Sequence, residues 1–132
     1  MKNIFKKGDR KEYEILVSES DVAAFESGVV HHVYSTFSLT RDAEWSGRLF
    51  VLDMKEDTEE GIGTSITVAH KSPAFVGSIV KFIATFDEIT DKGEIINSYQ
   101  AFVGDRLIAQ GRQGQRILPK LKIETLFNRL KE

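Results

Sequence analysis

The chain has 132 residues, 41% of them hydrophobic and 29% charged, so we expect residues 1–132 to form one domain around one core. A formal net charge of −2 excludes the strongly basic surface that nucleic acid or an anionic membrane recruits. Cysteine is absent, which excludes disulfides, thiolate metal sites and a cysteine nucleophile.

The opening stretch "MKNIFKKGDRKEYE" lacks the apolar core of a signal peptide, and no apolar run is long enough to span a bilayer, so a cytoplasmic protein is expected. Residues 11–17, "KEYEILV", alternate with Tyr13, Ile15 and Val17 on one side and predict a strand. In "SESDVAAFESG", Ser18 or Ser20 can cap a short helix that Gly28 ends. Residues 29–35, "VVHHVYS", are β-branched and aromatic and predict an extended segment.

The main helix is predicted near residues 37–54, "FSLTRDAEWSGRLFVLDM", capped by Thr36 or Ser38. Asp42 and Glu44 sit early in it, where negative charge suits the helix dipole. Toward its end Trp45, Leu49, Phe50, Val51 and Leu52 make it apolar all round, which predicts burial. Gly47 costs roughly 1 kcal/mol against alanine inside a helix and marks a place where another segment packs close. "KEDTEEGIG" then reads as a solvated acidic loop.

A meander of strands is predicted over residues 62–69, 78–89, 94–103 and 106–117, with "TDKG" and "GD" as hairpin turns. The tail "KIETLFNRLKE" puts Ile123, Leu126, Phe127 and Leu130 on one stripe, a short amphipathic helix. This order predicts an α+β fold in which a curved antiparallel sheet wraps a long central helix.

Three side chains have the chemistry of acyl transfer. Thr36 stands at the helix entrance, Glu44 is about two turns along on roughly the same face, and His70 ends a strand. The helix N-terminus adds N–H donors for a developing oxyanion. Taken singly, Thr36 reads as a cap, Glu44 as a solvated helix residue and His70 as a hydrogen-bonded strand end. His31 and His32 are neighbours on a strand and point to opposite faces, so no metal site is expected. No phosphate loop or G-x-S-x-G elbow is present, and no cofactor is expected.

The block from Val33 to Gly77 changes the weight of these residues. It carries "VYST" before the helix, Glu44 followed by Trp45 within it, and "GTSITVAH" ending on His70. This pattern resembles the fluoroacetyl-CoA thioesterase family of hotdog enzymes. The resemblance implies Thr36, Glu44 and His70 as catalytic residues, and Gly63 with Thr64 beside the acyl pocket. It also implies hydrolysis of a short-chain acyl-CoA to free acid and coenzyme A, by a homodimer whose sites lie between subunits. Two stretches depart from the family. The family's phenylalanine-bearing lid is shortened here, leaving Phe25 as its one aromatic, so fluoroacetyl-CoA is not the expected natural substrate. The family's His-Glu-Arg run near the last strand is replaced by "GRQGQR", where Arg116 or Gln115 stands at the arginine position. The alternative is a hotdog domain that binds acyl-CoA or another small ligand without turnover. A hotdog dehydratase would need aspartate and histidine on one short segment, and no such pairing occurs.

Overall fold

The computed structural model describes residues 1–131. Alternation in the opening strand, β1 (Arg10–Leu16), turns Tyr13 and Ile15 inward, and Val17 just beyond it is buried. The apolar face of α1 (Thr36–Met54) runs through Leu39, Ala43, Phe50, Val51 and Met54, the helical spacing that one buried stripe requires. The remaining strands are β2 (Val22–Phe25), β3 (Gly28–Tyr34), β4 (Glu59–Ile66), β5 (Ala69–His70), β6 (Ile79–Ile89), β7 (Glu94–Val103) and β8 (Arg106–Pro119), followed by α2 (Lys120–Leu130).

The main sheet is antiparallel throughout, in the order β1-β6-β7-β8-β4, with β5 also paired to β8. It curls around α1, which packs against β1, β4, β6, β7 and β8. The interior has two apolar clusters. One gathers Tyr34, Leu39, Ala43, Phe82, Tyr99 and Ile108 around the N-terminal half of α1. The other gathers Phe50, Val51, Met54, Phe86 and Ile95 around its C-terminal half. Between them along the helix and strands lie buried Ser46, Asn97, Gln113 and Gln115.

Several elements differ from the sequence reading. The segment after β1 is not a short helix. It makes one 3-10 turn, Glu19–Asp21, and then the β2–β3 hairpin, whose turn uses Gly28 at φ +105°. A glycine at positive φ ends helices and closes hairpins alike, so the residue alone does not distinguish them. The acidic "loop" is partly strand, because β4 already begins at Glu59 and pairs with β8. Only β6, β7 and β8 form a meander; β4 lies on the far side of β8.

The cap of α1 is neither Thr36 nor Ser38 but Ser35, whose hydroxyl accepts the Ser38 N–H at 3.0 Å. The helix is not buried all round, since Phe37, Trp45 and Leu52 stay exposed on its outer face. Gly47 marks a close approach, as its spacing predicts: a Cβ there would overlap the Gln113 side-chain amide. The tail does form a helix, yet no residue of α2 is buried.

Candidate active site

Thr36 and His70 are brought together by two different elements. Ser35 donates its N–H to the Asp21 carbonyl at 2.8 Å and caps α1, which puts Thr36 on the first helical turn. His70 is delivered by a break in the strand. Thr67 donates its N–H to the Arg112 carbonyl, and its own carbonyl accepts the Tyr99 hydroxyl at 2.6 Å. Gly111 makes room for that turn of backbone, because a Cβ there would overlap the Thr67 carbonyl. The short β5 then pairs His70 with Ala109.

The result is a hydrogen bond between Thr36 Oγ1 and His70 Nδ1 at 3.0 Å. Burial pushes the His70 pKa below the usual histidine value, opposed by the Ser72 backbone. Its Nε2 is buried and has no hydrogen-bond partner of good geometry among the described residues. A neutral imidazole beside a hydroxyl is the arrangement that lets a base take up a proton. The first N–H groups of a helix have no partner within it. Ser38 and Leu39 bond to Ser35, so the N–H groups of Thr36 and Phe37 remain for a developing oxyanion.

Glu44 does not join this pair within one chain. It is exposed, about 12 Å farther along the helix axis at 1.5 Å per residue. Its carboxylate lies over Gly63, where a Cβ would sit 2.8 Å from Oε1. Thr64 donates its hydroxyl to Glu94 Oε2 on the sheet. Phe25, on the hairpin, packs edge-on against Phe37 with ring centroids 5.7 Å apart, next to Thr36. His32 pairs with Glu19 on the surface, and no group of three or more His, Asp or Glu fit to hold a metal occurs among the described residues. In "GRQGQR", Gln115 is the inward side chain and Arg116 is exposed.

Sequence reading missed two sets of residues. Asp42, read as a residue suited to the helix dipole, is buried and accepts the Tyr34 hydroxyl at 2.5 Å. Arg41 bonds both Asp42 and Asp21. Gln113, given no role in the sequence reading, donates to the Ala43 carbonyl at 2.8 Å beneath Glu44 and accepts from Gln115. A signal for the glutamines was present: Arg112, Gly114 and Arg116 share one side of the strand by the period of two, leaving Gln113 and Gln115 for the other.

A family model described as fluoroacetyl-CoA-specific thioesterase matches residues 17–121. Among solved structures, a Thermus thermophilus hypothetical protein of the thioesterase superfamily superposes with a TM-score of 0.91. It is 32% identical, covering 97% of this chain and 94% of the other. The fluoroacetyl-CoA thioesterase FlK superposes at 0.86 with 16% identity, covering 97% and 98%. A hot-dog-like protein from Thermanaerovibrio acidaminovorans superposes at 0.84 with 18% identity, covering 97% and 95%. These likenesses identify the curled sheet around α1 as the α+β hotdog fold. A comparison with curated proteins finds no match.

Proposed function

The chain belongs to the fluoroacetyl-CoA-specific thioesterase family and is a thioester hydrolase; from that premise we propose that its substrate is a short-chain acyl-CoA, cleaved to free acid and coenzyme A. The observation that carries this reading is the 3.0 Å bond between Thr36 Oγ1 and His70 Nδ1 at the N-terminus of α1.

The thioester carbonyl lies over the first turn of α1, where the N–H groups of Thr36 and Phe37 offset its developing charge. His70 accepts the proton of the attacking hydroxyl and returns it to the departing coenzyme A sulfur. Attack by Thr36 through an acyl-threonine and attack by a water that Thr36 orients use this same proton path. Gly63, which lacks a side chain, leaves the acyl group room beside the Glu44 carboxylate. Thr64 and Phe25 border the bound substrate.

The third catalytic group is Glu44 of the partner subunit in a homodimer. Two facts support this: Glu44 stands far along the helix from its own chain's pair, and Phe37, Trp45 and Leu52 give the outer face of α1 an apolar stripe for a second copy to cover. Assays of Thr36→Ala, Glu44→Ala and His70→Ala on acetyl-, propionyl- and butyryl-CoA test the assignment. Each variant is expected to lose about 10²–10⁴ in kcat. Wild-type rates in all three would overturn it.

A further inference from the structure

Tyr34 is 1% exposed and sits two residues before Thr36. Its backbone N–H donates to the Ala74 carbonyl at 2.9 Å, and the neighbouring Val33 bridges Phe75. Both contacts hold the segment that leaves His70. Its hydroxyl donates to Asp42 Oδ2 at 2.5 Å, on the second turn of α1. One residue therefore ties together the strand that leads into Thr36, the segment following His70 and the helix.

The acceptor is itself held. Arg41 donates from Nε to Asp42 Oδ1 and from Nη2 to Asp42 Oδ2, each at 3.0 Å. The same Nη2 donates to Asp21 Oδ1 at 2.9 Å. Asp21 also accepts from the Ser18 N–H and hydroxyl at 3.0 and 3.1 Å. A carboxylate as buried as Asp42 is costly among hydrocarbon unless paired, and an apolar pair would fill the same volume without that cost. What the polar version adds is direction, because charge-assisted bonds fix angles as well as distances. Burial, with the hydrogen bond to Asp42, pushes the Tyr34 phenol far above its ordinary range, so it stays a donor wherever the protein is folded.

We propose that Tyr34, Asp42, Arg41 and Asp21 form a positioning network that sets the separation of Thr36 and His70 for attack on the thioester. This rests on the reading of Thr36 and His70 as the reacting pair. The four residues touch no reacting atom; they act through the two that do.

The test compares Tyr34→Phe and Arg41→Gln with wild type, at a temperature where all are folded. One measurement is kcat and KM on propionyl-CoA; the other is the ¹⁵N resonance of the His70 ring in the ligand-free protein. Because misplacing a reacting group by 1 Å can cost about a hundredfold, Tyr34→Phe is expected to lose about tenfold in kcat with KM within about twofold. Its His70 resonance is expected to move toward that of Thr36→Ala, where the bond is gone. Arg41 is largely exposed and its replacement tolerable, so Arg41→Gln should move both readings the same way by less. A role in stability alone would lower Tm and leave kcat and the resonance at wild-type values, overturning the proposal. If Thr36→Ala and His70→Ala keep wild-type rates, the reading of the reacting pair fails instead, and an unmoved His70 resonance in Tyr34→Phe still refutes the positioning.

Discussion

At its N-terminal end Thr36, Arg41 and Asp42 of α1 meet His70, Asp21 and Tyr34, whereas at its C-terminal end Phe50, Val51 and Met54 meet Phe5, Phe86 and Ile95. The first end adds to its apolar cluster a set of polar groups held by directional bonds; the second is close-packed hydrocarbon, with Phe5 edge-on to Phe50 at 4.9 Å. Between them stand Gly47 and the Gln113 amide that rests on it. Both ends of the helix hold the sheet, and only the first also presents groups that chemistry can use. The difference teaches which substitutions should touch activity and which should touch stability.

The sharpest separation comes from opposite substitutions at the two ends. Thr36→Ala or His70→Ala should lower kcat by about 10²–10⁴ and barely move Tm, since neither side chain is part of an apolar cluster. Phe50→Ala should do the reverse. It opens a cavity in a fully buried site, costing about 3–5 kcal/mol in denaturant unfolding, while kcat measured well below Tm stays near wild type. Equal losses of activity and stability in both variants would break the comparison.

A smaller effect is expected at the helix cap. Ser35→Ala removes the acceptor for the Ser38 N–H and should cost about 1 kcal/mol of stability. Because the cap also orients the turn that carries Thr36, kcat should fall modestly with it, unlike the Phe50 variant.

The pH dependence gives a further distinction. Burial lowers the folded pKa of His70 from its ordinary 6.5, so below that value the unfolded chain binds the proton more readily than the folded one. Stability should therefore fall as pH drops from about 6.5 through the lower folded value, and His70→Asn should flatten that part of the curve. The acid limb of kcat/KM should lie below the ordinary histidine value, at the pKa of a shielded imidazole. Urea melts and pH–rate profiles of wild type and His70→Asn read both.

The long helix was legible because a run from Leu39 to Met54 repeats at helical spacing, and the strand from Glu94 to Val103 because it alternates. The β2–β3 hairpin was not, since serines before a small-residue run and a glycine after it mark a capped helix as well as a turn. The place of β4 beside β8 was hidden for another reason: strand pairing is decided by the whole sheet, not by residues 59–66. For the site, the types and spacing of Thr36, Glu44 and His70 were visible, with the resemblance to the thioesterase family giving them weight. The 3.0 Å contact across 34 positions of sequence required the fold, and so did the exposure of Glu44 away from that contact. Asp42 was read only as a charge suited to the helix dipole, because its partner, Tyr34, reaches it only when strand and helix pack.

The central claim is that the pair at the N-terminus of α1 is completed by Glu44 of the partner subunit. It is tested most directly by co-expressing Glu44→Ala with His70→Ala, two variants expected to be inactive alone, and assaying the purified mixture on propionyl-CoA. With random pairing, half the dimers are mixed and each carries one intact site, so about a quarter of wild-type activity should return. A mixture as inactive as its parents would contradict a site shared between subunits.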